Sequence, residues 1–311
     1  MLLRVVRSKV SRSVPTTMLL VAVALMPAVV MQTLSFGTGV LSNIAMLVVL
    51  TVFLEVAAAV LRRRPPLAAC SDGSGLVTAL LLGLSLPPGI AFGPLFLAAM
   101  FAIVLAKHLY GGLGHNPFNP AMVGYAAVLV TFPALLGHWP AGADAIAAPG
   151  LRGIDALTAA TPLDERRQLP MAAELGVVLA LAKWDPWPWI NAAYMAGGIV
   201  LVVLRAADVW LVAGFLLGLV IFAYMPFAHA EGFIFHALHG ATMAGAFFIV
   251  TDPVSAPEQR AARFIYAAAI AAITVTIREV GAFPDGLAFA VLLMNAAGPA
   301  LDRLVRAWSR R

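Results

Sequence analysis

The residues best suited to chemistry lie in one polar stretch near the middle of the chain, Asp155-Ala-Leu-Thr-Ala-Ala-Thr-Pro-Leu-Asp164. Thr161, Pro162 and Asp164 follow a Thr-x-x-acid pattern that is typical of the start of a helix. The threonine hydroxyl caps free backbone N–H groups there, and proline suits the first helical position. The same hydroxyl can instead be esterified. Thr161 is therefore both a candidate helix cap and a candidate attachment point for a covalent cofactor.

The rest of the chain is too apolar for a soluble protein. Hydrophobic residues make up 62% of the 311 positions and charged residues 11%, whereas a soluble domain is about 25% charged. The sequence thus predicts an integral membrane protein. The basic residues that give the net charge of +5 cluster beside apolar segments, where they orient a chain in the bilayer, so we expect no nucleic-acid partner. A single cysteine, Cys70, excludes an internal disulfide and argues against a self-contained iron–sulfur or cysteine-rich zinc site.

Ten apolar segments are predicted to form membrane helices. Eight are close to the length of about 20 residues that a crossing needs; they are 17–36, 40–61, 90–110, 117–136, 188–206, 209–227, 262–280 and 284–301. Two shorter runs, 75–88 and 240–253, end in proline. At the helical rise each covers only about 20 Å of a core about 30 Å thick.

The second half of the chain repeats the pattern of the first at a constant offset of 165 residues. Gly75 falls on Gly240 and Pro88 falls on Pro253. Five elements in each half is an odd number, so the two halves are predicted to cross the membrane in opposite senses. Inverted repeats with short, broken helices are typical of transporter-like folds. We therefore expect an all-α membrane protein whose units are two five-helix repeats and a connecting loop, at residues 1–136, 188–311 and 137–187.

The basic residues predict the orientation of this arrangement. If the N-terminus is cytoplasmic, the positive-inside rule is obeyed by most lysines and arginines, namely Arg4, Arg7, Lys9, Arg12, Arg62, Arg63, Arg64, Lys107, Arg205, Arg260, Arg263, Arg303, Arg306, Arg310 and Arg311. The exceptions are Arg278 and four residues in the loop 137–187, a long loop in which the rule is weak. We therefore expect both termini in the cytoplasm and Thr161 in the periplasm.

Broken helices leave backbone groups unsatisfied inside the membrane, which predicts a polar pocket between the halves. Its expected lining is Ser74, Thr78, Ser85, Asn119, Thr242, Thr251, Asp252 and Asp285. Glu55 lies within a predicted span and should face a partner or water, because an unpaired acid is costly there. Asn119, Asp252, Asp285 and Glu55 are candidates for an ion pathway. The alternative is that the small residues and prolines only permit close helix packing.

Histidines crowd the predicted outer end of the second short helix. His229, Glu231, His236 and His239 lie close together in the sequence, and two histidines three residues apart on a helix can share a metal ion. Solvated histidines at a membrane surface are much commoner. We therefore expect no metal site.

Three long motifs resemble those of the D subunit of the Rnf complex. They are Lys107-His-Leu-Tyr-Gly-Gly-Leu-Gly-His-Asn-Pro-Phe-Asn-Pro-Ala-Met-Val-Gly-Tyr125, Gly240-Ala-Thr-Met-Ala-Gly-Ala-Phe-Phe-Ile-Val-Thr-Asp-Pro-Val254 and Phe283-Pro-Asp-Gly-Leu-Ala-Phe-Ala-Val-Leu-Leu293. The resemblance implies a bacterial inner-membrane subunit that relays electrons between ferredoxin and NAD, coupled to Na⁺ or H⁺ translocation. The implied partners are the other Rnf subunits, namely the A and E membrane subunits, the G flavoprotein, and the B and C iron–sulfur proteins.

The same resemblance implies a covalent flavin. In that family a flavin transferase attaches FMN through its phosphate to the last residue of the pattern Asp-x-x-Ser/Thr-Gly-Ala-Thr, matched here by Asp155, Thr158, Ala160 and Thr161. Ala159 replaces the usual glycine, which could slow recognition by the transferase but keeps the acceptor hydroxyl. A phosphate at a helix start is favoured by free N–H groups and the macrodipole, and could also contact arginines, here Arg152, Arg166 and Arg167. Relatives also suggest a second, non-covalent flavin (riboflavin), which the sequence does not locate.

The sequence leaves two other functions open. The inverted repeat by itself is compatible with a transporter or channel of small solutes or ions that has no redox role. The B subunit of the sodium-pumping NADH:quinone reductase is similar enough to be the alternative within the redox class.

Overall fold

The computed structural model describes residues 13–66, 70–140, 158–161, 163, 185–225, 232–281, 283 and 285–309. At 138, 140 and 158–160 the backbone alone is described. Helices account for most of this part of the chain.

The described residues of the first half form six helices. They are α1 (Val14–Phe36), α2 (Gly39–Leu61), α3 (Ser74–Ser85), α4 (Phe92–Ala99, continued by the π-helical segment Met100–His108), α5 (Pro120–Thr131) and α6 (Pro133–Leu136). The described residues of the second half also form six. They are α7 (Trp187–Val203), α8 (Val209–Phe222), α9 (Gly232–Leu238), α10 (Thr242–Ala244, continued by the π-helical segment Gly245–Ile249), α11 (Arg260–Val280) and α12 (Leu287–Trp308).

A small sheet is the one departure from an all-α fold in the described residues. Strands β1 (His138–Pro140) and β2 (Thr158–Ala160) pair in antiparallel register, with Trp139 opposite Ala159. The sequence does not predict this pairing, because two three-residue strands give no periodic signal. The sheet lies directly before Thr161 and therefore matters for the site described below.

The structure agrees with a multi-pass membrane protein. Four helices, α1, α2, α11 and α12, are long and apolar enough to cross a bilayer. The pair α9–α10 would provide a fifth crossing as a span broken by 77°. Ten crossings and opposite orientation of the halves remain predictions.

Four segments predicted as full-length spans form shorter helices of 10–17 residues. They are Phe92–His108, Pro120–Thr131, Trp187–Val203 and Val209–Phe222. Polar caps and prolines set several of these limits. The Asn119 side chain accepts from Met122 N at the start of α5, and Pro133 follows its end. Asp208 caps α8 by accepting from Trp210 N. A cap fixes the first turn, and a proline removes the N–H that a continuing helix would need.

Small residues allow the helices to approach one another closely. A side chain at Gly197 of α7 would collide with the Ala24 carbonyl of α1, and side chains at Gly214 and Gly218 of α8 would collide with the backbone of α11. Helix α2 packs in the same way on the short α3, where a side chain at Gly83 would meet Ile44. Close backbone approach replaces the hydrophobic effect as a source of helix association in lipid. The contact of α1 with α7 joins the two halves of the chain next to the cavity described below.

Candidate functional site

Thr161 lines a cavity between the two halves of the chain. The cavity has a volume of about 260 Å³, and its walls come from α1, α3, α5, α7, α10 and α12 together with the segment that holds Thr161. This volume is slightly below the range of about 300–1,000 Å³ typical of small-molecule pockets. We refer to it as the Thr161 cavity.

The small sheet brings Thr161 to this wall. Strand β2 ends at Ala160, and two residues after Thr161 the Leu163 side chain is 5% exposed. A β-carbon added to Gly240 would lie 2.7 Å from Leu163 Cδ1, so Leu163 packs against the junction between α9 and α10. The position of Thr161 is thus fixed on both sides, by strand pairing before it and by a buried leucine after it.

Several of the residues predicted for flavin attachment lie wholly or partly outside the part of the chain that the structure describes. Asp155, Arg152, Arg166 and Arg167 lie outside the described residues. Thr158 and Ala160 belong to β2, but only their backbone is described. A helix starting at Pro162 and phosphate contacts from the arginines therefore stay predictions.

Aromatic rings form one side of the Thr161 cavity. Trp139 and Trp187 both line it, with ring centroids 5.1 Å apart in an edge-to-face arrangement. Phe36 lies behind them, 5.3 Å from Trp139 and 5.7 Å from Trp187. Tyr125 and Phe283 also line the cavity. Such a wall suits a planar aromatic ligand, because rings pack well edge-to-face and offset-stacked.

A charged pair also lies at the Thr161 cavity. Asp285 lines the cavity and accepts from Arg278 with N–O distances of 3.1 Å; the Arg278 side chain is 1% exposed. The Asp285 carboxylate also accepts from Ala241 N at 2.9 Å and Leu287 N at 3.1 Å. Asp285 therefore ties together the α9–α10 junction, α11 and α12. The sequence predicted Asp285 as an acid of an ion pathway, and in the structure its negative charge is paired with the positive charge of the buried Arg278.

Gly240 leaves room for this pair. Its φ is +64°, and an added β-carbon would lie 2.6 Å from Asp285 Oδ2 and 2.8 Å from Arg278 Nη2. The positive φ and the lack of room for a β-carbon both require glycine at this position. Because position 240 has no side chain, the α9–α10 junction can lie directly against the Arg278–Asp285 pair at the cavity.

Gln32 is a cavity residue that the sequence analysis missed. It lies on α1, is 2% exposed, and donates through Nε2 to the Leu84 carbonyl and to the Tyr194 hydroxyl, both at 3.1 Å. Gln32 and Tyr194 both line the Thr161 cavity. The available signal was a polar residue inside the first apolar segment, where polar side chains usually serve a function.

The other predicted pocket residues gather at a second, smaller cavity of about 80 Å³. Its lining includes Ser74, Thr78, Asn119, Thr251 and Asp252. The sequence predicted one polar pocket, whereas the structure divides its residues: Ser85 and Asp285 lie at the Thr161 cavity, and Thr242 lies at neither. The Thr242 hydroxyl instead donates to backbone carbonyls at the end of α9. We refer to the second space as the Asp252 cavity.

A buried ion pair borders the Asp252 cavity. Lys107, which lines it, lies 2.5 Å from Glu55 Oε1 and donates to the Ser74 hydroxyl at 2.5 Å. Asp72 is 3.6 Å from the same ammonium. Glu55 and Lys107 are 1% and 2% exposed. The sequence predicted that Glu55 faces a partner or water, and in the structure it faces a lysine.

Asp252 itself is held by neutral groups. Its carboxylate accepts from Val254 N at 3.1 Å and from the Ser255 hydroxyl at 3.0 Å. Asn119 lies nearby, with its backbone N–H donating to Asn295 Oδ1 at 3.0 Å. Residues from both halves of the chain thus meet at this cavity as well.

The histidines near the α9–α10 junction pair with acids. His236 Nε2 lies 3.1 Å from Glu279 Oε1, and His239 Nε2 lies 2.8 Å from Asp185 Oδ2. Phe235 stacks on the His239 ring with centroids 4.4 Å apart. His229 and Glu231 lie outside the described residues.

Comparison with known proteins gives a consistent result over nearly the whole chain. Residues 6–309 match the model of the NQR2, RnfD, RnfE family. The chain is 39% identical over 327 residues to the D subunit of the ion-translocating oxidoreductase complex of Vibrio atlanticus (strain LGP32), covering 94% of this chain and 93% of that protein. The proteins of the same name from Vibrio cholerae serotype O1 (strain ATCC 39541) and Aeromonas salmonicida (strain A449) are each 39% identical, over 329 and 327 residues. They cover 95% and 94% of this chain and 94% and 93% of their own.

Proposed function

The chain belongs to the NQR2, RnfD, RnfE family, and from that membership we propose that it is the D-type membrane subunit of an Rnf ion-translocating oxidoreductase complex. In this proposal it relays electrons between ferredoxin and NAD through an FMN joined by a phosphoester to Thr161. Its partners are the A and E membrane subunits, the G flavoprotein, the B and C iron–sulfur proteins, and the flavin transferase. The complex lies in a bacterial inner membrane, with the termini of this protein in the cytoplasm and Thr161 in the periplasm.

The observation that carries the proposal is the position of Thr161 on the wall of an aromatic cavity. The residues present fit a flavin tethered through its phosphate. The threonine supplies the hydroxyl, Trp139 and Trp187 supply a surface for a planar ring, and Gln32 supplies a buried acceptor oxygen that lacks a donor within the described part of the chain. When bound, the flavin supplies the redox chemistry, and the protein supplies position and electrostatics.

Among the described residues, Asp285, which pairs with Arg278, is the charged side chain at the wall of this cavity. Arg278 is buried and also donates to the His236 carbonyl at 3.0 Å. In a medium of low dielectric constant a fixed guanidinium acts over a longer distance than it would in water. We propose that the pair holds the α9–α10 junction in place and sets the potential felt in the cavity.

Ion coupling is proposed to involve the Asp252 cavity and Asp285 at the wall of the Thr161 cavity. Asp252, Asn119 and Lys107, which pairs with Glu55, line the Asp252 cavity. Coupling requires that Na⁺ or H⁺ binds one redox state of the complex more tightly than the other, since a ligand with equal affinity for both shifts nothing. The Asp252 cavity, at about 80 Å³, is small beside the pockets that hold ligands such as riboflavin, so we place no second flavin there.

Ultraviolet fluorescence of the denatured protein band tests the attachment. We expect the wild-type band from cells that also make the flavin transferase to fluoresce and the Thr161→Ala band to be dark, because the phosphoester survives denaturation. Thr158→Ser is the matched control, since the transferase pattern accepts serine or threonine at this position, and this variant should keep most of the fluorescence. A dark wild-type band would refute the covalent flavin, and a fluorescent Thr161→Ala band would move the anchor elsewhere.

The same assay bears on the alternatives. A non-redox transporter predicts a dark wild-type band. A B-type quinone-reductase subunit would carry the flavin but would be encoded beside quinone-reductase genes, whereas a gene for a ferredoxin-like iron–sulfur protein nearby favours the Rnf complex.

A further inference from the structure

The orientation of the Gln32 carboxamide is determined by its neighbours. The Leu84 carbonyl can only accept a hydrogen bond, so the group that faces it at 3.1 Å must be the amide nitrogen. The second Nε2 hydrogen goes to the Tyr194 hydroxyl, also at 3.1 Å. Both hydrogens of the amide are therefore used. Oε1 is buried and has no donor among the residues that the structure describes.

The Tyr194 hydroxyl is left with a hydrogen to donate. Its oxygen accepts from Gln32, and a phenol retains one O–H donor. No acceptor for that hydrogen is found within the described ranges, although Tyr194 is 4% exposed. Buried polar groups are nearly always paired, so an unused acceptor beside an unused donor marks a place where a ligand with the complementary pattern can bind.

The two groups are joined to three parts of the fold. Gln32 belongs to α1, Tyr194 to α7, and Leu84 to the end of α3, where the chain turns toward two prolines. All three line the Thr161 cavity. Their mutual hydrogen bonds hold the acceptor and the donor in one orientation at the contact between the two halves.

We propose that Gln32 Oε1 and the Tyr194 hydroxyl recognise the imide edge of the isoalloxazine ring, with Gln32 accepting from the ring N3–H and Tyr194 donating to an adjacent ring carbonyl. This assignment rests on the proposed function for the identity of the ligand. It adds that the ring enters the cavity with its pyrimidine end toward α1 and α7. Gln32 and Tyr194 are positioning residues, because they orient the ring and take no part in electron transfer themselves.

The donor–acceptor pattern is what selects this ligand class. An imide or lactam edge presents a ring N–H beside a carbonyl oxygen, the complement of an acceptor beside a donor. An oxidised quinone presents acceptors only and would leave Gln32 Oε1 unpaired. A site built to pair a substrate N–H rejects an analogue that lacks it much more strongly than a site that only measures shape.

Binding of a free ring by the full chain tests this directly. The chain carrying Thr161→Ala, purified in detergent from cells without the transferase, leaves the cavity without a tethered group. We expect lumiflavin to bind at least tenfold more tightly than 3-methyllumiflavin by equilibrium dialysis, a factor worth about 1.4 kcal/mol. Adding Gln32→Met, which keeps the length of the side chain, should remove the discrimination. Tyr194→Phe, the mildest change, should weaken lumiflavin binding severalfold, and a monodisperse gel-filtration peak should confirm that each variant is folded.

A second readout uses the intact complex. With Thr161 present, the Tyr194→Phe chain should keep its in-gel fluorescence, while the reduced-to-oxidised ratio of its flavin at a fixed potential changes about tenfold, or 29.6 mV for two electrons. Equal affinity for the two lumiflavins, or discrimination that persists in Gln32→Met, would overturn the inference even if Thr161 carries the flavin. A dark wild-type band with intact discrimination would instead refute the covalent attachment and leave the ring site standing.

Discussion

At the scale of single residues, the acids singled out by the sequence have different surroundings. Glu55 pairs with Lys107 and Asp285 pairs with Arg278, whereas Asp252 is held by Val254 N and the Ser255 hydroxyl. Among these described groups, Asp252 thus has neutral partners. An acid with neutral partners can exchange a proton or bind a cation without first breaking an ion pair.

We expect Asp252→Asn and Asp285→Asn to impair ion movement more than flavin attachment. Asparagine keeps the shape of the side chain but removes the charge that a cation would need. Ion uptake into vesicles holding the whole complex should fall, while the denatured protein band keeps its fluorescence. Asp285→Asn should also lower the thermal stability, since it leaves the buried Arg278 without a counter-charge. Wild-type uptake in either variant would remove that acid from the pathway.

At the scale of elements, the two short, broken regions are each tied down by a buried cation. Lys107, near the end of the π-helical segment after α4, reaches Ser74 at the start of α3 and Glu55 on α2. Arg278, near the end of α11, reaches Asp285 before α12 and the His236 carbonyl on α9. In both places charged side chains add ion pairs and hydrogen bonds to the packing of the short helices.

Removing one partner of the Glu55–Lys107 pair should destabilise the protein more than removing both partners. Lys107→Met leaves Glu55 buried without a counter-charge, and we expect a loss of about 3–5 kcal/mol of stability, as is usual for one partner of a buried pair. The double variant Lys107→Met with Glu55→Leu should recover most of this loss, because no charge is then buried. Thermal unfolding of the purified chain in detergent would measure both. A double variant no more stable than the single one would contradict the pairing.

At the scale of the whole molecule, the open question is the sense in which each half crosses the membrane. Helices α2 and α8 occupy corresponding places in the two halves, and the residues Arg64 and Tyr224 that follow them are both exposed. An inverted repeat puts these two positions on opposite sides of the membrane, whereas a parallel repeat puts them on the same side. The positive-inside rule favours the first arrangement, with Arg64 in the cytoplasm.

Single-cysteine labelling decides between them. In a Cys70→Ser background, a membrane-impermeant maleimide added to intact spheroplasts should label Tyr224→Cys but not Arg64→Cys. Ser309→Cys, at the exposed end of the chain, should behave like Arg64→Cys. A permeant maleimide should label all three. Labelling of Arg64→Cys and Tyr224→Cys from the same side would contradict the inverted repeat.

The sequence by itself determined the class of protein and the approximate positions of most of its described helices. Composition and long apolar runs are enough for this, because a span has to bury every backbone group within its own helix and therefore needs a continuous apolar stretch. The polar decapeptide stood out for the same reason, and it led to Thr161 without any tertiary information. The partner that Glu55 requires was also foreseeable, since an isolated acid is too costly inside a membrane.

Only the tertiary structure decided which of these residues meet. The residues predicted to line one polar pocket are divided between two cavities. Asp285 pairs with an arginine and Glu55 with a lysine. Gln32 of α1 lies beside Tyr194 of α7, 162 positions further along the chain. The structure also revealed the short strands that carry Thr161 to the cavity wall. Such contacts depend on the angles at which helices cross and on how closely their backbones approach, as at Gly197. Both are set by the packing of complete helix surfaces against each other. Local periodicity records which face of a helix is apolar, but it carries no information about the partner on the other side.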